Sequence, residues 1–581
     1  MKKKLRYWNL VFVVLFFMAC AVFYLVAVPY QIGFKEQISI FLPQAEHLAR
    51  YFSKPAFLAG ILGDFLTMFY FSNAMGAVIS VLLLIVLWLG LDKSLKRLGA
   101  GEESKLLALI PVAVESAFIV YLNYPISATV GYIVVIWAFV LFSKINNGLV
   151  FNIVLGLAVP ALYYVAGGYV LVALVFFCFH ERGRGVLRYC IAISDVLIIL
   201  LMGRLFNMTV LQSLLYPIQL GYILPATYLF VLPICSALIT LTLSKLTIKL
   251  SVKNIIGAIP ALLSIGISQY FSYNKQLEYS VELGTHAYKQ EWKQLKELSL
   301  DNPENNKYGV YYRNLSFARE GKLAAELLNY PQFTYEGLFM NIVQGASYLE
   351  IFYYIDQLLL VGDISQATDC ALLGQTVMPG NYSTRMLRKL SEISMAAGDY
   401  NVAKKYLNLL KSSPYHKRWA MEMEHCIEID SIPDNLLTIR KSSALRDVLF
   451  EQNNWEESLR VISDNNPQNI MSVDYMLCAY LLGKNFNTFN GLYDKYYLNR
   501  LDRVIPVPKI YQEALLTTSD SQESFESNVE KYHISSDVAN RFLQFMDDQV
   551  AANGNIRALR QYSGTYWFYL MSTIIKQSEN E

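Results

Sequence analysis

The sequence predicts an all-α protein in two parts: a polytopic helical membrane bundle of about nine spans, followed by an extracytoplasmic α-solenoid. Three observations carry this. Of the 581 residues, 54% are hydrophobic and only 17% charged, against about 45–50% apolar in soluble domains. The excess is uneven: long apolar runs fill the chain to about Phe271, and an ordinary soluble composition follows. Beyond that point, turn signals recur at near-regular spacing. We therefore divide the chain into 1–272, a transmembrane domain with a long first outer loop at 29–72, and 273–581, a soluble helical repeat domain.

The first element opens with MKKKLR and an apolar run to Val28. Phe17-Met18-Ala19-Cys20 partly matches a lipoprotein cleavage box. The apolar run continues past it for about 20 residues in all, enough to cross the hydrocarbon core. It reads as an uncleaved span with the N-terminus inside. Eight further spans are expected at about 73–91, 106–122, 127–143, 148–163, 165–179, 188–203, 223–244 and 254–271. The run over 148–179 divides at Gly167-Gly168 or forms one long span. With two spans there, the cytoplasmic segments carry 15 basic residues: Lys2, Lys3, Lys4, Arg6, Lys93, Lys96, Arg97, Lys105, Lys144, Arg182, Arg184, Arg188, Lys245, Lys249 and Lys253. The outer segments before Lys275 carry four, Lys35, Arg50, Lys54 and Arg204. This bias sets the orientation and puts the C-terminal domain outside a bacterial cytoplasmic (inner) membrane.

The first outer loop, 29–72, is too polar to cross a bilayer and too apolar for a solvated loop. It reads as one or two interfacial helices. Its acids Glu36 and Asp64 are the candidate catalytic groups, Asp64 the more notable for its apolar neighbours Leu62, Phe65 and Leu66. Arg50, Lys54 and Arg204 are the candidate cations for a substrate phosphate. The alternative is surface charge, with Glu46 and Arg50 paired at i,i+4. The segment 203–224 is a second, apolar outer loop suited to an interfacial helix beside the first. Inside the spans, Glu115 and Asp195 mark either a polar path or structural hydrogen bonds, because an unpaired charge there is costly. The expected hydrogen-bond partners are Ser116, a neighbouring tyrosine or a backbone group, and for Asp195 also Arg188 near the cytoplasmic surface.

In 273–581, Gly362-Asp363-Ile364-Ser365-Gln366-Ala367 and Gly398-Asp399-Tyr400-Asn401-Val402-Ala403 share one form, 36 residues apart (398 − 362). Asn453 to Ser458 is a looser copy, and Gly321 and Gly483 open similar turns. The glycine ends one helix in the left-handed conformation, and the small residue lets the next helix approach. This resembles tetratricopeptide repeats, which implies a concave face that binds peptides or proteins; the alternative is a rigid lid docked on the membrane half. Capping helices are expected at 536–552 and 555–572.

The net charge of +2 argues against a nucleic-acid binder, which would show a basic domain. The seven cysteines show no metal spacing. No phosphate-binding loop, hydrolase elbow or zincin motif occurs, so no cofactor is evident.

On Lys35-Glu36-Gln37, Lys54 to Ala59 with Asp64 to Tyr70, and Tyr311 to Ala318 with Gly321-Lys322-Leu323, the chain resembles an uncharacterised multi-pass membrane family common in gut Bacteroidota, known only as a domain of unknown function. The overall plan resembles GT-C glycosyltransferases. That resemblance implies transfer from polyprenyl-linked glycans at the outer face, active or degenerate, with a divalent metal as an option. The usual acid straight after the first span is absent, since Pro29 to Phe34 holds none. Two rivals stand beside this reading: a non-enzymatic scaffold binding envelope proteins through the repeats, and a transporter or flippase. The bilayer is a partner in all three.

Overall fold

The computed structural model describes residues 2–180, 186–218, 226–245, 250–301, 306–340, 347–444, 454–499, 507–519 and 521–571. Arg182, Arg184, Lys249, Asn453 and the end of the second outer loop lie outside them. Among the described residues every regular element is helical. The chain divides into two compact units. Unit 1 is Met1–Glu282 with Gln375–Arg388 and Lys404–His425, and unit 2 is Leu283–Gly374, Lys389–Ala403 and Cys426–Glu581.

Unit 1 begins with α1 (Lys2–Val22), continued by a π-helical turn over Phe23–Ala27. The loop after it holds α2 (Pro29–Gln37), α3 (Ala45–Phe52) and α4 (Phe57–Thr67). Then come α5 (Asn73–Arg97), α6 (Ser104–Leu107), α7 (Leu109–Val120), α8 (Ile126–Phe142), α9 (Gly148–Ala166) and α10 (Val170–Phe179). The unit continues with α11 (Val186–Leu205), α12 (Val210–Leu215), α13 (Ala226–Lys245), α14 (Leu250–Ser272) and the start of α15 (Lys275–Tyr288).

Four helices among the described residues are long and apolar enough to cross a membrane: Tyr7–Ala27, α5, α9 and α11. Three of the nine expected spans fall on shorter helices. α7, α8 and α10 have 12, 17 and 10 residues, and ten residues rise only about 15 Å. Their sequences are apolar because other helices cover them; ten of the twelve α7 residues and seven of the ten α10 residues are buried. Hydropathy alone does not separate lipid contact from protein contact. α13 and α14 fall at the last two expected spans, with only part of their side chains described. The 148–179 run is two helices, broken where Gly167 takes φ 87° and Gly168 N–H donates to the Tyr216 carbonyl at 2.6 Å. A side chain at Gly167 would meet that carbonyl and Ala56.

In unit 2, Gly362 and Gly398 both sit at φ 92°, ending helices Tyr348–Val361 and Thr384–Ala397. The following Ala367 and Ala403 are fully buried. At Gly483 the expectation fails: Gly483 is right-handed and Lys484 takes φ 57° instead. Helix Ser536–Ala552 falls on the first expected cap. The second expected cap is instead a 3-10 stretch, Ile556–Tyr562, ahead of a short helical segment.

Candidate functional site

The short helix α2 is buried from Gln31 to Gln37 although half of these residues are polar. Burying them requires partners, and the fold supplies them. Proline at the first position suits the helix start. The first-turn N–H groups of Tyr30 and Gln31 donate to the Glu278 carboxylate at 2.7 and 3.0 Å, where the helix dipole favours negative charge. Burial still pushes Glu278 up to about 7, against those two bonds.

Lys35 points the other way. Its ammonium donates to the carbonyls of Tyr121 and Tyr124 at 2.9 and 2.6 Å, just past the C-terminal end of α7, where carbonyls lack helical partners. Burial pulls its pKa down to about 7. Glu36 Oε1 lies 2.9 Å from His416 Nε2, with both side chains 2% exposed. Its second oxygen is buried without a hydrogen-bond partner among the described residues. The Thr384 hydroxyl reaches the carbonyls of Glu36 and Ser39 at 2.5 and 2.7 Å, and Arg385 donates to Gln37 Oε1 at 2.9 Å. Phe71 packs edge-on against His416 and stacks on Tyr415. The alternative that Lys35 and Glu36 are solvated surface charges is corrected: both are sealed inside unit 1.

Asp64 belongs to a different network. Helix α4 turns Ala59, Gly63 and Thr67 inward, and Gly63 permits contact with the Ser127 backbone of α8. Asp64 lies half-buried at the edge of that face. Tyr51 donates its hydroxyl to Asp64 Oδ2 at 2.6 Å. Desolvation pushes Asp64 up to about 6, with the Tyr51 bond and the nearby Arg50 charge opposing it. Arg50 donates to the Gly380 carbonyl at 2.5 Å and lies over the rings of Tyr51 and Tyr382, 5.5 and 5.1 Å from their centroids. A lone carboxylate with a guanidinium nearby is a poor donor set for a divalent cation, which takes about six to eight oxygens. Among the described residues no cluster of three or more His, Cys, Asp or Glu side chains is arranged to hold a metal ion.

A family model described as a family of unknown function (DUF6057) matches residues 4–573. The chain belongs to the DUF6057 family. No curated protein and no solved structure matches it.

In this DUF6057 chain the remaining candidates are dispersed. Lys54 and Arg204 are exposed. Each lies two residues from an end of one aromatic row: Phe52 on Phe57, Phe57 on Tyr164, and Tyr164 stacked on Phe206. Tyr164 also donates to the Phe52 carbonyl at 2.8 Å. Glu115 accepts from Tyr124 and Thr129, both at 2.6 Å, and from Tyr169 at 2.7 Å. The expected Asp195–Arg188 contact is absent and is corrected. Arg188 donates to the His180 carbonyl and the Tyr189 hydroxyl, and neither Asp195 oxygen has a hydrogen-bond partner among the described residues.

Sequence reading missed Tyr51, Glu278, Thr384, Arg385 and His416. Tyr51 was findable as the aromatic neighbour of Arg50 in an amphipathic loop helix. The other four are separated from α2 by hundreds of residues, and no local pattern marks them.

Proposed function

We propose that this is a nine-span protein of the bacterial cytoplasmic membrane, with the N-terminus inside and a tetratricopeptide-like repeat domain outside, that acts as a GT-C-like transferase on polyprenyl-linked glycans at the outer face. One observation carries the reading. Asp64, the only charged residue of an otherwise apolar loop helix, is held by Tyr51 beside Arg50, with its pKa raised to about 6. At neutral pH such a carboxyl is mostly ionised yet basic enough to accept a proton. It would take the proton from an acceptor hydroxyl as the sugar leaves its phosphate. Arg50, with Lys54 and Arg204 along the aromatic row, would offset the charge growing on that phosphate. Tyr51 would fix the carboxylate's orientation. Glu36, held by His416 in a separate network, takes no part in this scheme, and no step passes through a metal.

The test uses the full chain in proteoliposomes with a panel of radiolabelled polyprenyl-phosphate hexoses, following loss of label from the lipid phase. Wild type consumes a donor; Asp64→Asn slows it about 10²–10⁴-fold, the usual range for a lost proton-transfer group. If Asp64→Asn matches wild type, or no donor is consumed, the transferase reading falls. The second reading, a non-enzymatic scaffold for envelope proteins, is favoured by the engagement of Glu36 in the α2 clamp, and it predicts no donor consumption.

A further inference from the structure

Unit 2 contains two neighbouring depressions that share a wall. One, of about 300 Å³, has an apolar side of Leu359, Leu360, Leu436, Ile439 and Met471 and a neutral polar side of Asn435, Thr438 and Ser442. The other, of about 540 Å³, runs over Lys293, Lys296, Leu300 and Ser316. Trp292 and Arg319 line both. The Arg319 guanidinium lies over the Trp292 ring, 4.6 Å from its centroid.

In the 300 Å³ cavity the other charges are engaged with one another, while the 540 Å³ depression also carries Lys293 and Glu297. Lys389 holds Asp356 at 2.9 Å and Glu392 at 3.2 Å. Lys296 and Lys322 hold Glu320 at 2.7 and 3.3 Å. Among the described residues Arg319 is in none of these ion pairs; its contact is the indole face. A guanidinium carries its five N–H donors in one plane, in the fork that matches a carboxylate, and a contact through Cζ to an indole face does not use them up. The 300 Å³ cavity therefore sets a carboxylate fork beside an aliphatic wall. That volume is at the lower end for small-molecule sites, too small for a folded partner.

We propose that this cavity binds a small amphipathic carboxylate, about the size of a dipeptide, with its acid on Arg319 and its aliphatic body against Leu436 and Ile439. The site is separate from the Asp64 cluster and does not depend on the transferase reading. The same chemistry is offered by a free aliphatic acid and by the apolar C-terminal end of a peptide.

Isothermal titration of the full chain in nanodiscs tests it, with N-acetyl-leucyl-leucine, its C-terminal amide and octanoate as probes. The acid binds saturably. The amide and the Arg319→Gln protein each bind about tenfold more weakly, the loss expected for a charge-assisted bond. Thr438→Trp, at an exposed position on the cavity wall, abolishes binding without lowering Tm, and Arg319→Lys keeps part of it. Binding of octanoate as well as the dipeptide identifies a free acid as ligand; binding of the dipeptide alone identifies a peptide end. Equal affinity for acid and amide, no effect of Arg319→Gln, or no saturable binding at millimolar acid overturns the proposal.

Discussion

Glu36 and His416 are buried at 2% exposure, 2.9 Å apart and 380 residues apart in sequence. Removing one partner of such a pair leaves the other uncompensated, at a cost of about 3–5 kcal/mol. Glu36→Ala and His416→Ala should each lower Tm sharply in detergent, and the double variant should cost less than their sum. Additive losses would mean that the pair is not coupled. Burial acts on three other groups with opposite signs. Lys35 is lowered, so its contribution is present above 10.5 and lost as pH falls through about 7. Glu278 is raised from 4.5 to about 7, so its contribution is complete below 4.5 and lost as pH rises through 7. Asp64 behaves like Glu278, with loss near pH 6. Comparing Tm from pH 4.5 to 8 isolates Glu278: Glu278→Gln should lose less stability than wild type over that rise. An unchanged slope would show that Glu278 does not titrate as its burial implies.

At the scale of elements, α2 is short and carries four polar residues among nine. Its helical state depends on partners at both ends: Glu278 at the first N–H groups, Thr384 and Arg385 at the last turn. Isolated helices of this length are unstable in water, so tertiary contacts hold it. The helix ends at Gly362 and Gly398 work differently, through backbone conformation that the sequence announces. An alanine in the left-handed region costs about 1–2 kcal/mol. Gly398→Ala should cost about that, because its new methyl has only an Arg440 nitrogen nearby, at 3.8 Å. Gly362→Ala should cost measurably more, because its methyl would run into the Ser442 carbonyl. Equal Tm losses for the two would refute the steric part of this argument.

For the whole molecule, the proposed topology turns on whether 148–179 crosses the membrane once or twice. Two crossings over 148–179 keep every expected basic cluster inside and the C-terminus outside, whereas one crossing reverses everything after it. A C-terminal alkaline phosphatase fusion should be active in cells and a C-terminal green fluorescent protein fusion dark. The opposite pattern would overturn the proposed orientation and remove unit 2 from the outer face. α10, at 10 residues, is short for a crossing, so this result also reports how the bundle meets the bilayer.

The sequence by itself determined what depends on local chemistry: an all-helical chain, an apolar first half, and glycine-ended turns at Gly362 and Gly398, while it left 148–179 open between two helices and one. These follow from hydropathy, periodicity and φ preferences, which a short window contains. It also picked out Asp64 and Arg50, which lie 14 residues apart in one loop (64 − 50) and meet around Tyr51. Only the tertiary structure decided that α7 and α10 are covered by protein, that Lys35 and Glu36 are sealed, and that Arg188 turns away from Asp195. Those outcomes depend on partners far away in sequence. A residue's burial and charge state are properties of what surrounds it, and one-dimensional patterns do not encode the surroundings of a helix whose partners lie hundreds of residues distant.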